Sequence, residues 1–266
     1  SCTAIHGVPT MFSAMLASSE FDGKRIKSLR TGIMAGSQCP EVLMRRVLYD
    51  LGCSEITIAY GMTETSPISF QSDVNDPVDV RVSTVGRIQP HCEVKIVEDD
   101  GSTCAVGQTG ELWTKGYLVM KGYWNDAEAT QSSIENGWMK TGDLATIDNE
   151  GFCRIVGRKK DMVIRGGENI YPAELEEFLT DQKGILEAHV FGIPDEKFGE
   201  QLVAWIIVEE GATLDETSIQ NLCKNALAYY KVPAIVRFVK EVPLTATGKP
   251  QKFKMREIML NKTKIV

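Results

Sequence analysis

Leu29-Arg30-Thr31-Gly32-Ile33-Met34-Ala35-Gly36-Ser37-Gln38-Cys39-Pro40 begins the stretch that decides the fold, and residues 41–60 complete it. Residues 29–35 read as an apolar strand. Residues 41–51 then place Val42, Met44, Val47, Leu48 and Leu51 at helical spacing, with Pro40 suited to the first helical position. In residues 55–60, Ile56 and Ile58 alternate around Thr57, which predicts a second strand. A helix between two strands gives a crossover long enough for parallel pairing, the repeating element of α/β folds. Just upstream, residues 9–17 are also helical in pattern. Both strands run out into small and polar residues, Gly36-Ser37-Gln38 and Tyr60-Gly61-Met62-Thr63-Glu64-Thr65. In open parallel sheets that edge is where ligands bind.

From about Val82 the pattern changes to short strands between turn signals: Glu93-Val94-Lys95-Ile96-Val97, the Asp100-Gly101 turn, Gly110-Glu111-Leu112-Trp113, Asp148-Asn149-Glu150-Gly151, and a strand over residues 152–156. Such spacing predicts a small β-barrel or a distorted antiparallel sheet. Gly157-Arg158-Lys159-Lys160-Asp161 is a charged break suited to a linker. Beyond it come a strand over residues 162–164, a Gly166-Gly167 loop and a helix opening at Pro172 with Leu175, Phe178 and Leu179 on one face. Strands around residues 188–193 and 202–208 follow, then a helix from about Asp215. This second part reads as a compact α+β unit.

Composition excludes several classes. The 266 residues are 43% hydrophobic and 24% charged, with 29 basic and 36 acidic side chains, which is globular and large enough for two cores. The longest apolar run, residues 202–208, falls far short of the roughly 20 residues a membrane-spanning helix needs. The chain starts at Ser1 without an initiator Met or a leader pattern, which predicts a mature, trimmed or partial chain. Residues 1–157 hold 13 basic and 20 acidic groups while residues 158–266 hold 16 of each, so the net charge of −7 belongs to the first part. A pI near 5.2 argues against nucleic acid as a partner. Lys249, Lys252, Lys254, Arg256, Lys262 and Lys264 against Glu257 form a basic tail, read either as favouring an anion or as a solvated helix face. The seven cysteines contain no CxxC pair, the three histidines have no metal spacing, and no GxSxG elbow is present. Scattered free thiols fit a reducing compartment.

Several residues invite chemistry. Thr141-Gly142-Asp143, read as a tight turn ahead of a strand, presents a carboxylate suited to vicinal sugar hydroxyls, though the tripeptide is also an ordinary turn. Thr63 and Glu64 offer the hard oxygens that Mg²⁺ and phosphates prefer, or a helix cap. Arg165-Gly166-Gly167 would let a ligand lie against bare backbone, or simply turn the chain. Residues 243–249, Pro-Leu-Thr-Ala-Thr-Gly-Lys, place a lysine where it could meet an anionic oxygen. They are not a phosphate-binding Walker loop, since Pro243 and Pro250 stand where a glycine and a Ser/Thr belong.

In order along the chain, residues 60–65, Gly110-Glu111-Leu112-Trp113, Thr141-Gly142-Asp143, residues 157–161 with 166–172, and residues 244–249 resemble the later core motifs of adenylate-forming enzymes, closest to fatty acyl-CoA synthetases. The resemblance covers essentially the whole chain. It implies the end of a large α/β adenylation domain over residues 1–157, with a βαβ portion at 1–80 and a small β-barrel-like subdomain at 81–157. A mobile α+β C-terminal domain over 158–266 would follow, hinged at 158–161. In that family ATP and an acid give an acyl-adenylate, CoA displaces AMP, and the C-terminal domain rotates between the two half-reactions.

Carried over by residue, the resemblance puts Tyr60, with Gly61, against adenine and Gly36, Ser37 and Gln38 at the base's edge. It puts Thr63 at the phosphate, Glu64 on Mg²⁺, and Asp143 and Arg158 on the ribose. Lys160 becomes the hinge, Gly166 and Gly167 the lining of the pantetheine tunnel, and Lys249 the bridge between the carboxylate and the α-phosphate. The family's Ser/Thr/Gly-rich phosphate loop has no counterpart before Tyr60, so the expectation is the C-terminal half of such an enzyme, without full activity alone. The implied partners are the small molecules ATP, a medium- or long-chain fatty acid and CoA, and a homo-oligomer is compatible with them. The implied location is the cytoplasm, or else the mitochondrial matrix. A peptide-synthetase domain is disfavoured because the chain stops soon after Lys249. A relative with another acyl acceptor, or an inactive nucleotide-binding fragment, remains as the alternative.

Overall fold

The computed structural model describes residues 1–23, 26–245 and 249–263, with side chains as far as residue 261. It divides into two compact units, Ser1–Ile155 and Val156–Val266. The first is built on a mixed sheet ordered β1-β2-β3-β4-β5. Its elements in chain order are β1 (Ala4–Gly7), α1 (Pro9–Ala17), β2 (Thr31–Ala35), α2 (Glu41–Tyr49), β3 (Glu55–Gly61), β4 (Ile68–Gln71), α3 (Val78–Ser83) and β5 (Arg87–Ile88). β1, β2 and β3 run parallel and β4 and β5 antiparallel. The helix-crossover prediction therefore holds for β2-α2-β3, while β1, β4, β5 and α3 were not foreseen. Pro40 is not the first helical residue: its ψ of 140° is extended, and it caps α2 from outside.

The face of α2 carrying Leu43, Met44 and Val47 packs with Phe12 and Leu16 of α1 against Met34, Ile56 and Ile58 of the sheet. Each such side chain contributes about 1.5–3 kcal/mol by leaving water. Arg81 of α3 is almost fully buried, and it donates to the carbonyls of Asp76 and Ile56. Its guanidinium is thereby matched by backbone acceptors in the loop ahead of α3 and on β3.

The unit continues with β6 (Cys92–Val97), β7 (Gly110–Gly116), α4 (Ala127–Ser133), β8 (Ile134–Glu135), β9 (Trp138–Ile147) and the start of β10 (Cys153–Arg158), which runs on into the second unit; these strands form an antiparallel sheet ordered β10-β9-β7-β6 with β8 against β9. Its inner face packs Ile96, Leu112, Ala145 and Cys153 on Phe70. Its other face carries an alternating row in which Lys115 and Lys95 lie over the Trp138 ring, and Lys95 and Lys140 over the Trp113 ring, at 4.5–5.5 Å. The register makes this row, since Lys95 pairs with Trp113, Trp113 with Lys140, and Lys115 with Trp138. The charged break begins later than the sequence implied, because β10 runs through Gly157 and Arg158 before a 3-10 turn at Lys159–Asp161.

The second unit contains β11 (Val163–Arg165), β12 (Glu168–Ile170), α5 (Pro172–Thr180), β13 (Ile185–Asp195), β14 (Gly199–Val208), α6 (Glu216–Ala226), β15 (Ile235–Phe238) and α7 (Lys252–Thr263). The sheet runs β12-β11-β14-β13, with β15 on β14. Strand alternation splits the core in two. Val190, Leu202, Ala204 and Ile206 face Leu175 and Leu179 of α5 and Ile219 and Cys223 of α6, while Phe191, Val203 and Trp205 face Met255 and Met259 of α7. The basic tail is thus no solvated face at its start: α7 docks on the sheet, and Lys252 and Arg256 are ion-paired with Glu176 and Glu200.

All seven cysteines are free thiols. Burial pushes Cys39 and Cys153 up to about 12 and Cys53 and Cys223 up to about 11, from an ordinary 9.0. Unfolding returns each group to about 9, so their contribution to stability is intact below pH 9 and declines as the pH rises through 9 to 12. Titration of the native protein with a thiol reagent is expected to label exposed Cys2 first and half-buried Cys92 and Cys104 more slowly. The other four should react only on unfolding. Early labelling of Cys39 would contradict this packing.

Candidate active site

β2 and β3 end side by side, with Ala35 opposite Ala59, so the Gly36-Ser37-Gln38 loop and Tyr60-Gly61 leave the same edge of the sheet. Gly36 has φ of 94° and opens an exposed loop that reaches buried Cys39. At Gly61 the approach of β4 is so close that a Cβ would lie 1.6 Å from the Pro67 carbonyl oxygen, which only glycine avoids. The chain then makes a 3-10 turn over Thr63–Thr65. Thr65 is fully buried; its hydroxyl accepts from Met62 N (3.2 Å) and donates to Met62 O (3.1 Å), locking the turn. Thr63 is left exposed and Glu64 half-buried. The Glu64 carboxylate accepts from the Tyr123 hydroxyl at 2.9 Å, and its carbonyl accepts from Met120 N at 2.9 Å. Burial, and then the hydrogen bond to Glu64, push the Tyr123 hydroxyl up from its ordinary value, so it stays a donor.

Thr141-Gly142-Asp143 is not a turn ahead of a strand. It is a bulge inside β9: the pairing steps from Glu111↔Leu144 to Trp113↔Lys140, leaving Leu112 opposite the tripeptide. Gly142 takes φ of 70° there, a conformation glycine adopts without strain, and its N–H donates to the Glu111 carboxylate at 3.2 Å. Thr141 Oγ1 donates to Leu112 O at 2.7 Å. Bulges re-aim side chains, and this one sends Asp143 to Tyr60, whose hydroxyl donates to Asp143 Oδ2 at 2.5 Å. Burial first, and then the charge of Asp143, hold the Tyr60 hydroxyl protonated far into the alkaline range. Residues 83 positions apart thus tie the β3 edge to β9.

Glu111, Tyr123 and Thr141 also belong to this cluster, and none of them takes a role of its own from the sequence. Glu111 and Thr141 lie in motifs that the sequence singles out; Tyr123 carries no local signal, because only the fold brings it to Glu64. Among the described residues no group of three or more His, Cys, Asp or Glu could cage a metal. A single half-buried carboxylate such as Glu64 fits a Mg²⁺ ion that takes its remaining ligands from phosphates and water.

The second unit carries the other predicted residues. Arg158 is exposed at the end of β10, and Lys160 is exposed in the 3-10 turn. Gly166 and Gly167, with φ of 61° and 89°, form the two-residue connection of the β11–β12 hairpin, in which Arg165 pairs with Glu168. Positive φ at both positions is the backbone such tight hairpins require. Gly166 N donates to Phe198 O at 2.8 Å. Lys249 is exposed on a stem closed by Thr245 N to Lys249 O (2.8 Å), Lys249 N to Thr245 Oγ1 (3.0 Å) and Gln251 N to Pro243 O (2.8 Å). Residues 246–248 of that motif, and Lys264 of the basic tail, lie outside the described residues.

Comparison with known proteins agrees with this order of parts. Residues 1–124 match the family model of AMP-binding enzymes, and residues 174–249 match that of the AMP-binding enzyme C-terminal domain. The chain is 51% identical over 260 residues to YngI of Bacillus subtilis (strain 168), a protein named as a provisional acyl-CoA synthetase, covering 96% of this chain and 47% of that one. It is 45% identical over 258 residues to the mitochondrial medium-chain acyl-CoA ligase ACSF2 of Danio rerio, covering 96% and 43%. ATP-bound MatB from Rhodopseudomonas palustris superposes with a TM-score of 0.89 at 32% identity, covering 97% of this chain and 51% of that one. The chain spans about half the length of each. It belongs to the adenylate-forming AMP-binding enzymes, with sequence of their AMP-binding domain followed by their C-terminal domain.

Proposed function

We propose that an enzyme carrying this sequence joins a fatty acid of medium or long chain to CoA in two steps, using ATP. In the first, a carboxylate oxygen attacks the α-phosphorus and pyrophosphate leaves. In the second, the CoA sulfur, having lost its proton, attacks the acyl carbonyl and AMP leaves. The observation that carries the reading is the Tyr60–Asp143 pair beside the Glu64–Tyr123 pair at the sheet edge where Gly36-Ser37-Gln38 also emerges. The medium-chain ligase named among the relatives supports the substrate class.

On this reading the Tyr60 ring stacks on adenine, with its hydroxyl held by Asp143, and Gly61 leaves the strand edge bare beside it. Gly36, Ser37 and Gln38 meet the base's edge, Asp143 and Arg158 the ribose, and Thr63 a phosphate oxygen. Mg²⁺, held by Glu64, would neutralise phosphate charge when bound. Lys249 acts in adenylation, Gly166 and Gly167 admit the pantetheine arm in thioester formation, and Lys160 is the residue at which the chain turns between steps, within a C-terminal domain of residues 158–266. No described helix is long and apolar enough to cross a membrane. We assign the enzyme to the cytoplasm, with the mitochondrial matrix as the alternative that the mitochondrial relative supports.

These 266 residues contain no Ser/Thr/Gly-rich phosphate loop ahead of Tyr60, so by themselves they should bind nucleotide without completing adenylation. The purified chain is expected to show no fatty-acid-dependent ATP–pyrophosphate exchange above a no-enzyme control, and to prefer AMP over GMP in calorimetry. Exchange above control would overturn the inactivity. Equal binding of AMP and GMP would remove Tyr60 and Gln38 from the base site.

A further inference from the structure

α7 begins just after Lys249, and its first two turns carry cations four residues apart, on one face of the helix. Lys252 Nζ lies 2.7 Å from Glu176 Oε1 on α5. Arg256 donates to Glu200 Oε1 at 2.9 Å and, through Nε, to Gly192 O at 2.5 Å. Both carboxylates are already pinned by backbone donors: Val190 N donates to Glu176 Oε1 at 2.7 Å, and Ile164 N to Glu200 Oε2 at 3.0 Å. An exposed ion pair is worth little because ordering its side chains offsets the attraction. Here Lys252 and Glu176 are only about one-fifth exposed, and each acid is oriented before its cation arrives. Gly192 leaves the room this needs, since a Cβ there would stand 2.9 Å from Val163 and 3.0 Å from Glu200 Oε1.

Met255 and Met259 fasten the helix to the sheet, but sliding along an apolar surface meets no directional resistance; the two ion pairs fix its register. The hydrogen-bonded stem of the Lys249 loop joins α7 at Gln251, so freedom in the first helical turn becomes freedom at Lys249. We propose that Lys252 and Arg256, seated on Glu176 and Glu200, are positioning residues for adenylation: they hold the Lys249 ammonium on target, and thioester formation does not depend on them. The proposal rests on the reading of Lys249 as the adenylation cation.

The test compares the two half-reactions in an active enzyme carrying this sequence. The variant with Lys252→Met and Arg256→Met together should lose about ten- to thirtyfold in kcat for ATP–pyrophosphate exchange, within the range that misplacing a catalytic group costs. The KM for ATP and the conversion of supplied acyl-adenylate to CoA thioester should stay within about twofold, and Tm within about 3 °C. Lys252→Arg with Arg256→Lys, which keeps both cations, should recover most of the exchange. Unchanged exchange in the double Met variant, or parallel loss of both half-reactions with a fall in Tm, overturns the proposal. Lys249→Ala run alongside separates the two claims. Exchange surviving in Lys249→Ala removes the underlying reading, whereas exchange lost in Lys249→Ala but kept in the double Met variant removes the brace alone.

Discussion

Replacing Lys249 with alanine in an active enzyme carrying this sequence is expected to lower ATP–pyrophosphate exchange by about 10²–10³, while CoA thioester formation from supplied acyl-adenylate stays within about tenfold. Adenylation concentrates negative charge on the α-phosphate as the carboxylate attacks. A fixed cation aimed at such charge is worth about 3–4 kcal/mol, and tenfold corresponds to about 1.4 kcal/mol. Lys249 is exposed, and its backbone is held by the hydrogen bonds between Thr245 and Lys249, so alanine removes the ammonium without disturbing a core. An ordinary surface lysine would leave both steps unchanged, and a folding role would depress both. Separate assay of the steps tells the three apart.

Asp143→Ala is expected to weaken ATP binding by about 1.5–3 kcal/mol, roughly ten- to 150-fold, the scale of losing a charged acceptor of hydroxyl groups. The weakening should extend to AMP, because the ribose must be held in both half-reactions. Asp143 also accepts from Tyr60, so part of the loss could come from a released tyrosine. Tyr60→Phe distinguishes the two: it removes that hydroxyl and keeps both the ring and the carboxylate. If Asp143 binds the sugar, Tyr60→Phe leaves the KM for ATP within about threefold, under 1 kcal/mol. An unchanged KM in Asp143→Ala, or equal effects of the two variants, would end the ribose assignment.

What could be read in advance followed from period and order. Residues 29–60 carry their own hydrophobic rhythm, so β2, α2 and β3 and their parallel pairing were visible, as was the helix opening at Pro172. The short β4, β5 and α3 were not, since their few residues take shape only against neighbours. Thr141-Gly142-Asp143 looked like a turn because glycine signals a positive φ equally well in a turn and in a bulge, and only pairing with β7 decides between them. The same holds for Tyr60 with Asp143 and for Tyr123 with Glu64: the residue types were conspicuous, but the contacts span 83 and 59 positions. α7 was ambiguous in another way. Its cations left open either an anion-favouring tail or a solvated face, whereas Lys252 and Arg256 reach acids supplied by α5 and β14.

The lysine and tryptophan row on the outer face bears on how the molecule behaves in a crowded solution. β6 ends its sheet, and a terminal strand can pair with an extended segment that drifts past, although its C-terminal end is already taken: Val97 bridges Thr103 and Ile96 O accepts from Cys104 N at 2.8 Å. Glu93 and Lys95 both stand on that strand, and the Lys95 ammonium is spread across the rings of Trp113 and Trp138. An incoming strand would have to sit beside the Lys95 ammonium, with the indole rings beneath it already covered by that cation. Charge on an edge strand disfavours such pairing, so replacing Lys95 with an aliphatic residue is expected to make the chain more prone to associate, read as light scattering that rises with concentration.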